Sequence, residues 1–380
     1  MKKITIIVTV PVVLETWFKG QPNFLSKHYE VEIITSPSKT VESIQKYENV
    51  SIKTFDFNRQ IDPFKDIKVL IQLFLYLKNS KPDIVYTLTP KAGLLGMISA
   101  WMAKVPIRVH NIVGLPHLEA NGMRKFILTT TEKLTYIFAT KLYCNSLNLK
   151  QVIQSMTKKE VDVIANGSVN GVDTNYFLDT LNDDTKKKVL DTLNINEKDF
   201  VVTFVGRIVN DKGINELVEV FTELSLKYQN IKLLLIGDYK DELDSISAKS
   251  MQLIDKNDSI IYLEFQEDIR KYLAITNLFV LPSYREGLPN VLIEAGSYGI
   301  PLIATNINGC NEIIEDNING MLVEKKNKQE LKNAIEKFLI DKEYYEFIKK
   351  NVRESIIERY DQKFFWKELL KEFKSLESAK

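Results

Sequence analysis

Short apolar runs alternate with longer amphipathic segments along the whole chain. Runs of strand length lie first at Ile4–Thr9, Val31–Thr35, Ser51–Phe55, Ile84–Leu88, Ile107–Ile112, Lys141–Asn145 and Asp162–Ala165. They continue at Phe200–Gly206, Ile231–Gly237, Ile260–Phe265, Asn277–Pro282, Pro301–Thr305 and Met321–Val323. Buried strands that alternate with helices are typical of parallel α/β units. The pattern predicts an α/β chain with two doubly wound domains.

Two helical segments carry more specific predictions. Pro63 suits a helix start, and the following Phe64–Lys78 should pack on the sheet through a largely common face of Ile67, Leu70, Ile71, Phe74, Leu75 and Leu77. The C-terminal Lys342–Glu377 is helical in pattern and rich in aromatic residues from Phe364 to Phe373. Such an aromatic stripe predicts docking against the protein's own core.

A boundary between the two domains is predicted from turn-forming and polar residues. Ala165–Val172 reads A-N-G-S-V-N-G-V, and polar Asp179–Lys188 follows it. We therefore expect a first domain at residues 1–175 and a second at 176–359. We expect the C-terminal helix, about residues 360–380, to pack back on the first domain.

Composition narrows the class of protein. The chain has 380 residues, of which 44% are hydrophobic, so whole-chain disorder is excluded. A net charge of +1 gives no argument for a nucleic-acid partner, although residues 1–180 hold 22 basic and 15 acidic side chains. Cys144 and Cys310 are far apart, which supports neither a disulfide framework nor a zinc site and fits a reducing cytoplasm. No uncharged apolar run approaches the roughly 18 residues of a membrane span, so we expect the chain at most to lie on a membrane.

The first motif with chemical content is Val205–Gly213, V-G-R-I-V-N-D-K-G. It follows an apolar strand and precedes the amphipathic Ile214–Tyr228. Gly206 permits close backbone approach, the next helix offers free N–H groups, and Arg207 and Lys212 add positive charge. These features predict a phosphate site. The alternative is an ordinary strand-to-helix turn whose two basic side chains are solvated. The spacing fits neither a Walker loop nor G-x-G-x-x-G.

The second motif is Arg285–Glu294, R-E-G-L-P-N-V-L-I-E, which opens a helix after a strand. Glu286 is predicted in the loop and Glu294 about one turn inside the helix, so both carboxylates can face one crevice. The alternative for Glu286 is a partner of the helix's positive end, and for Glu294 a solvated face. The apolar neighbours of Glu294 indicate burial, and a buried carboxylate needs partners such as sugar hydroxyls.

Taken together, these motifs resemble the donor half of the family 4 retaining glycosyltransferases. The resemblance runs through most of residues 200–325 and includes Gly299–Thr305 and Asn317–Val323. It implies the GT-B fold, in which two Rossmann-like domains face a central cleft. The first half resembles the capsule and O-antigen subgroup through Asp83–Tyr86, Thr89–Gly96, Val105–His110 and Asn166–Asp173.

The resemblance also implies roles for individual residues. Arg207 and Lys212 would bind the donor diphosphate, Glu294 the ribose hydroxyls and Glu286 the transferred sugar. Other donor-binding candidates are Gly206 in the phosphate motif, and Phe265 and Ile269 in the stretch that contacts the base. The loop Gly287, Leu288, Pro289 and Asn290 would line the sugar and phosphate site. We find no convincing D-x-D motif, so we expect no metal and no cofactor, and activity that survives EDTA.

The first half departs from the family's pattern near the expected acceptor side. The loop Thr9–Phe18 lacks a glycine pair, and Val113 stands where many relatives have a histidine. His110 and His117 flank that place and are candidates to replace it; a polar strand-end residue and a loop residue are the alternatives. Lys91 follows a strand where an ammonium can meet an acceptor phosphate, with a solvated lysine as the alternative.

These observations predict a retaining, metal-independent glycosyltransferase in bacterial capsule or surface polysaccharide biosynthesis. Its expected donor is a nucleotide sugar, with UDP as the expected nucleotide. Its expected acceptor is an undecaprenyl-diphosphate-linked saccharide. The expected location is cytoplasmic and peripheral on the inner face of the membrane, where the basic amphipathic Asn121–Lys141 can rest on anionic lipid. The alternatives are a GT-B-like nucleotide-sugar 2-epimerase, which the E-x7-E pair disfavours, and a catalytically idle sugar-nucleotide-binding protein, which Val113 leaves open.

Overall fold

The structure is a computed structural model that describes residues 1–58, 62–239 and 244–378. The chain divides into two compact units. The first consists of residues 1–171 together with the chain from residue 362 onward, and the second of residues 172–361. Each unit is built around one parallel sheet.

The first unit contains, among its described residues, a seven-stranded parallel sheet of order β3-β2-β1-β4-β5-β6-β7. Its elements are β1 (Lys3–Ile7), α1 (Val12–Thr16), α2 (Gln21–Ser26), β2 (Glu30–Thr35), α3 (Val41–Glu48), β3 (Ser51–Thr54), α4 (Pro63–Ser80), β4 (Ile84–Thr87), α5 (Pro90–Met102), β5 (Ile107–Ile112), a 3₁₀ turn (Pro116–Glu119), α6 (Gly122–Phe138), β6 (Lys141–Cys144), α7 (Leu147–Gln154) and β7 (Val161–Val163).

The second unit contains, within the described ranges, a six-stranded parallel sheet of order β10-β9-β8-β11-β12-β13. Its elements are α8 (Asp183–Thr192), β8 (Phe200–Val205), a 3₁₀ turn (Asn210–Lys212), α9 (Ile214–Lys227), β9 (Ile231–Ile236), α10 (Ala248–Lys256), β10 (Ile260–Leu263), α11 (Arg270–Leu273), β11 (Leu278–Leu281), α12 (Asn290–Ser297), β12 (Leu302–Thr305), α13 (Cys310–Ile313), β13 (Gly320–Val323), α14 (Lys328–Ile340) and α15 (Lys342–Tyr360). The last helix of the chain, α16 (Gln362–Ser378), belongs to the first unit.

The predicted α/β class and every predicted strand are confirmed. Strand bounds differ from the predicted ones by at most two residues. The strands were recognisable because both faces of a parallel sheet are covered by helices, so each strand is a nearly continuous apolar run. β4 and β11, for example, are buried at every position.

Two apolar cores cover the two faces of the first sheet. Ile4 and Ile6 of β1 belong to one core and Ile7 to the other, as the alternation of side chains along a strand requires. The first core includes Phe365, Leu369 and Phe373 of α16, which confirms that the C-terminal aromatic stripe docks on the protein. The second core includes buried residues of α4, α5 and α6.

The prediction for the packing face of α4 is correct for Leu77 and Leu70 but wrong for Ile67, Ile71 and Leu75. The helix packs on the sheet through Val69, Leu73 and Leu77, while Leu70 and Phe74 are half-buried. Ile67, Ile71 and Leu75 are 56%, 50% and 52% exposed. The helix has apolar residues on both sides, so periodicity alone did not reveal which side faces the sheet.

The segment that is helical in pattern, Lys342–Glu377, forms two helices, and the second of them, α16, lies where the C-terminal helix was predicted. Asp361 takes an extended ψ of 133°, which ends α15 one residue before α16 begins. Its carboxylate accepts a 2.7 Å hydrogen bond from the Thr174 hydroxyl, which holds this break in place.

Candidate functional site

The second sheet reverses its strand order between β8 and β11. β8 is followed outward by β9 and β10, whereas β11 is followed by β12 and β13. Loops at the carboxyl ends of two such strands leave a crevice in doubly wound sheets, and ligands bind there. The loops concerned are residues 206–213 and 282–289, which carry both predicted motifs.

Two glycines allow three loops to approach one another closely at this point. Gly213 has a φ of +70°, and a Cβ atom there would lie 2.1 Å from the Pro282 carbonyl oxygen. Gly309 has a φ of +79°, and its Cβ would lie 2.0 Å from the carbonyl oxygen of Gly287. Both positions require glycine because of conformation and space. They pack the loop after β11 between the loops after β8 and β12.

Lys212 and Glu286, predicted separately, form an ion pair across the crevice. The Lys212 ammonium donates to Glu286 Oε1 at 2.6 Å, and the Ser283 hydroxyl donates to the same oxygen at 2.7 Å. Both charged side chains are mostly shielded from solvent. Among the described residues these contacts involve Oε1, which leaves Oε2 available for a ligand hydroxyl.

A second ion pair anchors the basic loop beneath Lys212. Arg285 Nη2 lies 2.7 Å from Asp211 Oδ2, and the backbone N–H of Tyr284 donates to the Asp211 carbonyl at 2.7 Å. Burial raises the pKa of the Asp211 carboxyl, and Asp244 adds to this, against the opposing positive charges of Lys212 and Arg207. Arg207 itself is exposed, directly after Gly206 at the end of β8. The cluster therefore brings three basic side chains, Arg207, Lys212 and Arg285, together with the carboxylates of Asp211 and Glu286.

The loop after β11 is held by side chains from β12 and the loop after it. Asn308 Nδ2 donates to the carbonyls of Glu286 and Gly287, each at 3.3 Å, and the Thr305 hydroxyl donates to the Ser283 carbonyl. Leu288 and Pro289 are buried within this loop. Pro289 is the N-cap of α12 rather than its first helical residue, and Asn290 begins the helix.

Glu294 lies one turn inside α12, as predicted, and is half-buried among apolar neighbours. Burial raises its pKa from 4.5 to about 7. In the described part of the chain its carboxylate forms no hydrogen bond or ion pair. A carboxylate in this condition is destabilised until hydroxyl donors reach it.

The predicted base-side residues lie after β10. The backbone N–H of Phe265 donates to Asp238 Oδ1 at 3.1 Å, and the Phe265 ring is 69% exposed. Ile269 is half-buried and packs against the core. The Phe265 ring is therefore exposed, while its backbone is held by the hydrogen bond to Asp238.

Cys310 is a buried thiol close enough to Glu286 to feel its charge. It is fully buried and begins the short α13. Burial raises the pKa of its thiol well above the usual value, and the negative charge of Glu286 adds to this effect. The thiol is therefore protonated at neutral pH and is not a nucleophile.

In the first unit, the structure buries His110 rather than presenting it to a ligand. Its side chain is 1% exposed, and Nδ1 lies 2.8 Å from the Thr87 hydroxyl. A Cβ atom on Gly93 would lie 2.4 Å from the ring, so α5 packs directly on it. Burial lowers the pKa of His110 to about 4, so the ring is neutral at pH 7. His110, predicted as a candidate for a ligand contact, is therefore a core residue in the structure.

His117 and Lys91 also belong to the first unit. His117 is buried in the 3₁₀ turn, and its Nδ1 has no hydrogen-bond partner among the described residues. Burial and the charge of Lys125 lower its pKa. Lys91 Nζ forms an ion pair with Asp66 of α4, at 2.7 Å from Oδ1. Its ammonium is therefore not simply solvated.

Sequence reasoning assigned no role to Ser283, Arg285, Asp211 or Asn308. Arg285 had a signal, because it directly precedes Glu286 in the motif. The others became visible through contacts between loops that are distant in sequence. In the ranges that the structure describes, no group of three or more His, Cys, Asp or Glu side chains is placed to hold a metal ion. Within the same ranges, no helix has the length and apolar character needed to cross a membrane.

Two doubly wound parallel sheets, one in each unit, are the architecture of the GT-B class of glycosyltransferases. The family model described as Glycosyl transferases group 1 matches residues 185–355, and that described as Glycosyl transferase 4-like matches residues 11–146. The capsular polysaccharide biosynthesis glycosyltransferase CapM of Staphylococcus aureus is 33% identical over 96% of this chain and 94% of its own length. The chain therefore belongs to the family 4 glycosyltransferases.

Two further comparisons agree with this assignment. A UDP-Gal:α-D-GlcNAc-diphosphoundecaprenol α-1,3-galactosyltransferase of Escherichia coli is 30% identical over 80% of this chain and 78% of its own length. The crystal structure of Anabaena Alr3699/HepE with UDP matches 99% of this chain and 100% of its own with a TM-score of 0.81. At 19% identity the latter likeness concerns the fold alone.

Proposed function

We propose that this chain is a retaining glycosyltransferase that uses a UDP-sugar donor. The acceptor is an undecaprenyl-diphosphate-linked saccharide, and the product is an intermediate of bacterial capsule or other surface polysaccharide. The reaction takes place at the cytoplasmic face of the cell membrane. Donor binding is assigned to the crevice between β8 and β11.

Two observations carry this proposal: the Lys212–Glu286 ion pair at the switch point, and the carboxylate of Glu294 in α12, which forms no hydrogen bond or ion pair in the described ranges. Lys212 and Arg207 supply positive charge for a diphosphate, Glu286 Oε2 can accept a hydroxyl of the transferred sugar, and Glu294 can accept two vicinal ribose hydroxyls. A nucleoside diphosphate sugar carries these groups in the order sugar, diphosphate, ribose. The proposal gives each of the three groups a partner of suitable chemistry.

The chemistry follows from where the charges lie. The bond between the anomeric carbon and the diphosphate oxygen breaks, and the acceptor oxygen bonds to the same face of that carbon. The acceptor hydroxyl proton passes to the departing diphosphate, whose negative charge Arg207 and Lys212 stabilise. Glu286, held by Lys212 and Ser283, fixes the sugar so that its reacting face is accessible.

The relatives support the choice of donor and acceptor. The Escherichia coli relative is named for a UDP-Gal donor and a diphosphoundecaprenol-linked acceptor. A Campylobacter jejuni relative, 28% identical over 87% of this chain, is named as acting on a diphospho-undecaprenol-linked sugar. HepE was crystallised with UDP and with UDP-glucose.

A screen of UDP-sugars with and without a lipid-linked acceptor tests the proposal. We expect UDP release only when acceptor is present, a product linkage with retained configuration by NMR, and full activity in EDTA. Conversion of the donor sugar without acceptor would identify an epimerase instead. Donor binding without any turnover would identify an idle binding protein, and activity abolished by EDTA and restored by magnesium would contradict metal-independent transfer.

A further inference from the structure

The outer side of α4 carries a row of large apolar side chains in contact with solvent. Phe64 is 88% exposed, and Ile67, Ile71 and Leu75 are each at least half exposed. Their spacing of three and four residues places them along one line of the helix. They lie opposite Val69, Leu73 and Leu77, which pack on the sheet.

The outer side of α6 carries a second row of the same kind. Met123, Phe126 and Ile137 are 72%, 68% and 62% exposed, and Ile127 and Leu134 continue the line. The opposite side of α6 is buried through Glu132, Thr135 and Tyr136. Five apolar residues on the solvent side of one 17-residue helix are unusual for a surface that faces only water.

These two rows belong to one surface. α4 and α6 both pack against α5, and the core on this face of the sheet contains buried residues from all three helices. Because their inner sides face the same side of the sheet, their outer sides point away from it together. Trp101, 52% exposed near the end of α5, contacts Phe138 of α6 with ring centroids 4.9 Å apart. We call this the α4–α6 face.

The exposed charges on the α4–α6 face are mostly basic. The basic side chains are Lys65, Lys68 and Lys78 on α4, and Arg124 and Lys133 on α6. Asp62, the N-cap of α4, lies 4.0 Å from the Lys65 ammonium. Of the two acidic residues in these three helices, Asp66 is ion-paired with Lys91 and Glu132 is buried. Lysine and arginine among exposed aromatic and aliphatic side chains suit an anionic lipid surface, because the headgroups attract the bases and the acyl boundary accepts the apolar groups.

We propose that the α4–α6 face docks the protein on anionic phospholipid bilayers. The proposal extends the sequence-based expectation for residues 121–141 to a second helix, and it does not depend on the donor chemistry. A second copy of the chain is a poorer occupant. A symmetric dimer through this face would place one predominantly basic surface against another, which is electrostatically unfavourable.

Flotation with lipid vesicles tests the face through exposed residues whose replacement leaves the core unchanged. The variant is Ile67→Glu with Ile71→Glu, and the matched control is Leu226→Glu, an 84% exposed leucine at the end of α9 in the second unit. We expect the wild type and the control to float with vesicles of phosphatidylcholine and phosphatidylglycerol. The double variant should lose about tenfold or more in apparent affinity, because two carboxylates then face the anionic headgroups.

A charge-removal variant separates the basic from the apolar contribution. Lys68→Gln, Arg124→Gln and Lys133→Gln together should reduce binding to phosphatidylglycerol vesicles, and added salt should reduce wild-type binding in the same way. Equal binding of wild type and both variants, or no wild-type binding at low salt, would overturn the proposal. So would a wild-type dimer in light scattering that Ile67→Glu with Ile71→Glu converts to a monomer. UDP affinity, measured in the same preparations, reports on the donor site separately.

Discussion

The two sheets of this protein have the same strand order around their switch points, yet their crevices differ in chemistry. In the first unit, Thr9 and Thr89 join the loops after β1 and β4 through hydroxyls 2.5 Å apart, and Thr9 N–H donates to the same Thr89 oxygen. In the second unit, the corresponding loops after β8 and β11 are joined by the Lys212–Glu286 ion pair. One crevice is bridged by neutral hydroxyls, and the other by an ion pair.

This difference teaches that the doubly wound fold offers a crevice but does not decide what occupies it. The residues that decide are few and local. Gly213 permits the close approach of the second pair of loops, and Arg207, Lys212 and Glu286 supply the charges. We therefore assign donor recognition to the second unit, and the following predictions test this asymmetry.

The largest effect is expected for Glu286→Gln, which should reduce the transfer rate by about 100-fold or more. The neutral amide neither attracts Lys212 nor accepts a sugar hydroxyl as strongly. The measurement is kcat at saturating donor, with circular dichroism to show that the fold is retained. Glu223→Gln, an exposed carboxylate on α9 that pairs with Lys332, is the control and should change kcat little. Near-wild-type activity of Glu286→Gln would remove this residue from the site.

Arg207→Ala and Lys212→Ala should each weaken UDP binding by about 1–3 kcal/mol, the range for a charge-assisted contact. Calorimetric titration measures this loss, and Lys256→Ala, an exposed lysine at the end of α10, serves as control. Uridine, which lacks the phosphates, should bind the variants and the wild type equally. Unchanged UDP affinity in both variants would place the phosphates elsewhere.

A pH-dependent effect on stability is expected from Glu294. Its pKa is 4.5 ordinarily and about 7 in the folded protein, so folding takes up a proton between these values. The contribution of this group to stability therefore falls as pH rises from about 4.5 to 7 and stays low above that. Glu294→Gln should raise the free energy of unfolding by about 1–2 kcal/mol at pH 8 and change it little near pH 4.

Urea denaturation at the two pH values measures this difference, and UDP titration of the same variant should show weaker binding. An effect of equal size at both pH values would show that Glu294 is not a strained carboxylate. A variant that is more stable but binds its ligand more weakly is typical of a position where the native residue serves function at a cost in stability.

The smallest effect on rate is expected for His110→Gln in the first unit. The ring is buried, neutral and packed against Gly93, so its loss should lower stability by about 1–2 kcal/mol without a large change in kcat. A rate loss of about 100-fold with unchanged stability is the range for a general acid or base and would restore His110 as a catalytic candidate.

Much of the fold was predictable from the sequence, and the reasons are physical. Each parallel strand is buried on both faces, so β8 and β11 appear as apolar runs whatever their neighbours. The packing side of α4 was not predictable, because Ile67 and Ile71 face solvent with the same apolar character as Leu73 and Leu77 in the core.

The candidate site was predictable residue by residue but not as an arrangement. The two motifs identified Lys212 and Glu286, yet the ion pair joins positions 74 residues apart. The pair also depends on the close approach of the Gly213 backbone to the Pro282 carbonyl. Burial of His110 was likewise invisible, because a histidine at a strand end is compatible with a ligand site and with a core. Ser283 and Asn308 carry no motif and are recognised through their contacts with the Glu286 loop.

Amide hydrogen exchange with and without UDP, in buffer containing EDTA, tests the asymmetry between the two crevices most directly. The account predicts that UDP slows exchange at residues 206–213 and 286–294 of the second unit, and leaves residues 9–18 and 89–93 of the first unit unchanged. Protection confined to the loops of the first unit, with none at residues 206–213 and 286–294, would contradict it.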